Sequence, residues 1–120
     1  MFVATSDAWA ARVRPFQFQF KRDGRLWFCT ARSKQTYAQL CADRRLEFSC
    51  TSPEMVTVRV KGEANLDDDM AVKRRILEEN ALVRGLYKTA ENPDFTVFSV
   101  DHGSAYMFDF SGNPPKTFTF

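Results

Sequence analysis

Apolar and polar residues alternate with a period of two along Ala10–Phe20. Phe16, Phe18 and Phe20 fall on one face and Gln17 and Gln19 on the other, the pattern of a half-buried strand. Asp23-Gly24 supplies a hairpin turn, and Leu26–Thr30 predicts the returning strand. Ahead of them, Phe2–Thr5 has the β-rich character of a short strand that ends in the turn residues Ser6-Asp7. Leu46–Thr51 is a further strand, as is Met55–Leu66, where Val56, Val58 and Val60 alternate with Thr57, Arg59 and Lys61. The period lengthens twice. Tyr37, Leu40 and Cys41 are spaced for one face of a short helix, with Ser33 in front of them as its N-cap. Asp67–Asp69 precede Met70, Val72, Ile76 and Leu77, an acidic start to a second helical region that Asn92-Pro93 ends. Phe95–Val100 and Ser104–Phe110 predict a hairpin around Asp101-His102-Gly103, and Thr117–Phe120 an extended tail after Pro114-Pro115.

Six or so strands with two inserted helices do not alternate as β-α-β, which argues against a doubly wound sheet. They predict a mainly β (α+β) chain, an antiparallel barrel with helices at its ends. The length of 120 residues predicts one domain, 1–120, able to bury roughly two-thirds of its unfolded surface without a metal or disulfide. Its 12 Phe are a large supply for so short a chain, and some are expected to cover a partner subunit or a planar ligand. No apolar stretch approaches the roughly 20 residues of a membrane helix, and no basic segment followed by a hydrophobic one opens the chain. We expect a cytoplasmic protein with no membrane partner. Cys29, Cys41 and Cys50 are odd in number and lack any CxxC pairing, which predicts reduced, mostly buried thiols.

Net charge is +2, but residues 10–45 carry nine Lys/Arg against two Asp. Such a local positive field suggests an anionic ligand. Within it, Thr30-Ala31-Arg32-Ser33-Lys34 lies at a strand-to-helix junction, where cations oppose the helix dipole unless an anion sits there. A phosphate would collect backbone N–H groups, the Ser33 hydroxyl and both cations; an ordinary serine cap with two solvated basic neighbours would leave the same residues in place. Arg12 and Arg14 share one face of their strand and repel unless an anion or carboxylates sit between them, although a solvent-facing pair is the plain alternative. Pro15 removes a ladder donor and predicts an edge, a bulge or a ligand-lined opening. His102, the only histidine, sits beside a turn glycine as a loop residue, and no nucleophile arrangement assembles around it. Dinucleotide and P-loop glycine motifs do not occur. Asp67–Asp69 read as a helix start, so no metal site is expected.

Three segments, taken in order, carry a resemblance. Arg12-Val13-Arg14-Pro15-Phe16, the Phe28-Cys29-Thr30…Ser33-Lys34 junction with Gln39-Leu40 behind it, and Val58-Arg59-Val60-Lys61-Gly62-Glu63-Ala64 together resemble the small FMN-binding split-barrel proteins related to pyridoxamine 5′-phosphate oxidase. The resemblance runs from about Phe2 to Phe120. It implies a six-stranded antiparallel split β-barrel with short helices, in a homodimer with FMN in clefts at the subunit interface. Position by position, it implies Arg12, Val13, Arg14 and Pro15 along the flavin ring and phosphate, Thr30 beside the ring, and Arg32, Ser33 and Lys34 on the phosphate. Thr57 falls where relatives place a polar residue that reaches the cofactor. The helix with which relatives open before their first strand is not among these residues. The oxidase's C-terminal arginine and histidine signature is absent too, so oxidation of pyridoxamine phosphate is not expected.

The expected function is that of an FMN-dependent oxidoreductase, with a small-molecule electron donor or acceptor, in which the flavin supplies the redox chemistry. The alternative is a nonenzymatic β-barrel module in which basic and aromatic residues hold single-stranded nucleic acid. That alternative accounts for the basic first third but not for the gathering of its cations at one helix start and one strand pair.

Overall fold

The computed structural model describes residues 1–120. In chain order its elements are β1 (Phe2–Asp7), β2 (Ala10–Pro15), β3 (Phe20–Arg22), β4 (Arg25–Ala31), α1 (Gln35–Ala42), β5 (Arg45–Thr51) and β6 (Thr57–Glu63). There follow α2 (Met70–Glu79), α3 (Ala81–Tyr87), β7 (Phe95–Val100), β8 (Gly103–Phe108) and β9 (Lys116–Thr119). All pairings are antiparallel, in a six-stranded sheet ordered β2-β1-β5-β6-β8-β9 and a three-stranded sheet ordered β3-β4-β7. The sheets face each other without closing, so the mainly β split barrel expected from the sequence is present, with more strands than the six counted there.

Alternation along each strand builds the layers. Val3, Leu46, Phe48 and Val60 point inward from the large sheet, and Phe28, Phe98 and Val100 from the small one, while Leu40 of α1 joins them. Phe28 is the hub of this layer, stacked on Phe98 at 5.3 Å and met edge-on by Phe48 at 5.3 Å and by Phe18 at 5.7 Å. Truncating so central a ring would cost about 3–5 kcal/mol. On the other side of the small sheet, Trp27, Phe95 and Val97 meet Val72, Ile76 and Leu77 of α2 and Val83 of α3. Strand β7 is therefore buried along its whole length.

The β3–β4 hairpin turns at Asp23 and Gly24, both at positive φ (53° and 74°), as the Asp-Gly pair predicts. Five expectations need correction. The strand expected over Ala10–Phe20 stops at Pro15, which has no N–H for the ladder, and resumes at Phe20; Phe16 instead donates its N–H to the Met1 carbonyl at 3.0 Å. The single helical region is two helices. Asn80 ends α2 and its side chain accepts the Val83 N–H at 3.2 Å to start α3.

β7 and β8 are not hairpin partners, since the chain passes at Asp101-His102 from the small sheet to the large one. Gly62 and Gly103 pair where it crosses, and a Cβ on Gly103 would overlap the Lys61 carbonyl. The N-cap of α1 is Lys34, with no side-chain cap bond, and not Ser33. Lastly, Cys41 and Cys50 are exposed and only Cys29 is partly buried.

Candidate functional site

The β4–α1 turn was expected to gather an anion, and its donors have internal partners. Arg32 reaches the Asp68 carboxylate at 2.7 Å and the Pro93 carbonyl. Asp68 also holds Lys73 at 2.7 Å, a lysine whose side chain is only 3% exposed, and accepts from Thr96 at 3.3 Å. Burial alone would raise the Asp68 carboxyl, but hydrogen bonds from Lys73 and Arg32 outweigh it and hold the group below its ordinary 3.8. Ser33 donates both its backbone N–H and its hydroxyl to Asp94, at 2.8 and 2.9 Å. Asp69 caps α2 through the Val72 N–H at 3.1 Å, and Asp67 pairs with Arg25 at 3.5 Å.

Lys34, the next residue, is different: it is exposed and forms no salt bridge. It lines a groove of about 210 Å³ together with Arg14, Phe16, Thr36, Leu86 and Tyr87. Arg14 reaches this groove from the edge strand β2, where Pro15 ends the ladder. Its guanidinium donates to Thr5 Oγ1 and Gln39 Oε1, each at 2.6 Å, and to no carboxylate. Burial and then the neighbouring Arg12 lower its affinity for its proton. The groove therefore holds two cations without a counter-charge, beside apolar and aromatic side chains. Such a site suits the charged end of an anion that also carries a flat apolar body. Cys29 lines it as well, with its thiol pushed up by burial to about 11 against the pull of Lys34, so the thiol is protonated near neutrality.

The remaining sequence-expected residues lie outside the groove. Arg12 pairs with Asp7 at 3.4 Å. Val13, 69% exposed, and Thr57, hydrogen-bonded to Thr51 at 2.8 Å, belong to the outward face of the large sheet. Thr30 alternates with Cys29 and turns its buried hydroxyl to the opposite face of β4, where it has no hydrogen-bond partner within the chain. Sequence reasoning missed Thr5, Thr36, Tyr87 and the role of Gln39. A glutamine on the buried side of α1 was the only signal for any of them. A larger depression, about 560 Å³, spreads over the outward face of the large sheet, where Arg45, Glu47, Lys61 and Glu63 mix both signs of charge. Of these two depressions, only the smaller groove is lined by cations with no carboxylate among its residues.

Two antiparallel sheets around a shared core, open along one side, define a split-barrel protein. The chain belongs to the pyridoxamine 5′-phosphate oxidase like family, whose sequence model matches residues 1–120. Among solved structures it is similar to a NimC/NimA family protein from Clostridium acetobutylicum, at 26% identity and a TM-score of 0.91, over 99% of this chain and 82% of that one. A pyridoxamine 5′-phosphate oxidase-related, FMN binding protein from Nostoc punctiforme matches at 16% identity and a TM-score of 0.75, over 97% and 76% of the two chains. A heme binding protein from Mycobacterium smegmatis matches at 15% identity and a TM-score of 0.78, over 98% of this chain and 51% of that one. The last two show the shared fold. A search of curated proteins finds no match to the chain. No helix is long and apolar enough to cross a membrane.

Proposed function

We propose that this chain is an FMN-binding oxidoreductase, a homodimer that passes electrons or hydride between a reduced nicotinamide or small organic substrate and an acceptor. One observation carries the reading: Arg14 and Lys34, distant in sequence, line one groove and neither is neutralised by a carboxylate. Such a pair matches a phosphate dianion, and the apolar and aromatic lining beside it matches a flavin's body. When bound, FMN supplies the redox capacity. The chain's own part is to bind and orient: Arg14 and Lys34 hold the phosphate by charge-assisted hydrogen bonds, and Pro15, Phe16 and Tyr87 exclude water beside them. Arg32 and Ser33, anchored to Asp68 and Asp94, act at one remove by fixing the turn that presents Lys34.

Size supports the homodimer. A groove of about 210 Å³ falls short of the roughly 300–1,000 Å³ that encloses a small molecule, so a second wall is needed. The outward face of the large sheet, with Phe2 and Val13 exposed and Thr57 on the same side, has no layer over it; we assign it to the second copy, which reaches round the β2 edge to wall the groove. That interface should bury at least about 1,000 Å² in total.

The visible spectrum of the purified protein, followed by titration with FMN, tests the reading directly. A yellow protein, or one that takes up FMN stoichiometrically, supports it; a colourless protein that takes up none overturns it. Light scattering that returns a monomer across the micromolar range overturns the dimer.

A further inference from the structure

Arg14 is held in a polar triad spanning three elements, whose other two members are buried. Thr5 on β1 is 4% exposed and Gln39 on α1 is 9% exposed, and both face Arg14 on β2. Thr5 Oγ1 donates to Gln39 Oε1 at 2.6 Å while accepting from Arg14 at 2.6 Å, so the hydroxyl's proton and one of its lone pairs are engaged. Gln39 Oε1 in turn accepts from both Thr5 and Arg14, each at 2.6 Å. The amide must therefore present its oxygen; flipped, its NH2 would face the guanidinium donors. Both clamping groups are neutral. A carboxylate in place of Gln39 would grip the guanidinium more firmly but would cancel its charge.

We infer that Thr5 and Gln39 are positioning residues that fix the Arg14 guanidinium at the groove while leaving its charge free for an anion. The inference rests on the reading of the groove as the site of the FMN phosphate, and it names what sets the affinity there. A guanidinium tethered through two of its nitrogens loses little freedom when an anion arrives, so binding meets a preorganised partner. Thr5 and Gln39 touch no ligand themselves; they act through Arg14.

The test compares the affinities of FMN and riboflavin, which differ by the phosphate alone. In the unaltered protein FMN should bind about 10-fold to 100-fold more tightly, the scale of charge-assisted hydrogen bonds to one phosphate. Gln39→Glu should leave the fold intact and riboflavin affinity within about twofold, yet remove most of the FMN preference by neutralising Arg14. Gln39→Leu, and Thr5→Val where that variant does not fold, should weaken FMN by about threefold or more through loss of the clamp. In an Arg14→Ala background none of these substitutions should alter FMN affinity further, because the cycle closes on a shared group. Full FMN preference in Gln39→Glu, or losses that add to that of Arg14→Ala, would overturn the inference while leaving the FMN site standing. An unaltered protein that binds FMN and riboflavin equally overturns the phosphate assignment, and the inference with it.

Discussion

Two groups of polar donors adjoin each other in space, and their fates differ. At the β4–α1 turn, Arg32 and the donors of Ser33 are met by Asp68 and Asp94, carboxylates 36 and 61 residues further along the chain. In the adjoining groove, Arg14 and Lys34 meet only neutral oxygens or solvent. The first cluster is a structural tie that pins the start of α2 and the approach to β7 onto the turn. The second retains its field. In the sequence Arg32, Ser33 and Lys34 read as one anion site and Arg12 and Arg14 as another; the long-range carboxylates separate Arg32 and Ser33 from Lys34, and the fold sets Lys34 beside Arg14.

The largest expected effect separates the two roles at the tie. Asp68→Ala leaves Lys73 buried without a partner and frees Arg32, which should cost about 3–4 kcal/mol of stability in urea unfolding, the lower part of the range for a broken buried pair because Asp68 is partly exposed. If the loss were under about 1 kcal/mol, the tie would be a surface ornament like most exposed pairs. The same carboxyl carries a pH signature. Its folded value lies below 3.8, so its contribution is whole above that pH and is lost as pH falls through the folded value. Acid unfolding monitored below about pH 4 should therefore be less steep in Asp68→Asn.

Next in size are the groove cations. Arg14→Ala and Lys34→Ala should each weaken FMN by about 1.5–3 kcal/mol and reduce the salt dependence of its affinity, with the fold intact. Unchanged affinity in both variants would place the phosphate elsewhere. Asp94→Ala supplies the contrast: it strips Ser33 of its acceptor, which should cost about 1 kcal/mol of stability, and by loosening the turn that presents Lys34 it should weaken FMN, but by less than Lys34→Ala does. A tighter FMN complex in that variant would mean that Asp94 competes with the phosphate for Ser33.

The smallest effect lies outside both clusters. His102 is exposed at the crossing between the sheets, and its Nδ1 lies 2.6 Å from Asp101, whose carboxyl that contact holds below its ordinary value. His102→Ala should retain flavin and turn over within about threefold of the parent, a change of under about 1 kcal/mol in the barrier. A hundredfold loss with FMN still bound would bring the Asp101-His102 turn into the active site.

Much of the architecture was legible because it depends on local pattern. Val56, Val58 and Val60, the Asp23-Gly24 turn and the acidic start before Met70 each identify their element through side-chain period, backbone φ or helix dipole, all within a few residues. The misread elements are those decided at a distance. Phe95–Val100 and the strand after it are adjacent in sequence, as hairpin strands are, yet they join different sheets because β4 and β6 offer them separate partners. Ser33 has the chemistry of an N-cap, but Asp94 competes for its hydroxyl and wins.

The sequence by itself determined the class of fold, the basic character of the first third and the resemblance that led to the family. Composition and periodicity are properties of the chain before it folds, which is why they could be read there. Which cations remain available was decided only by the tertiary structure. A charge becomes a binding group when no opposite charge lies within reach, and that depends on what the segments leading into α2 and β7, and β1 and α1, bring alongside. Asp68 and Asp94 neutralise Arg32 and occupy Ser33, while Thr5 and Gln39 hold Arg14 without neutralising it. Coulomb energy follows distance in space and not separation along the chain.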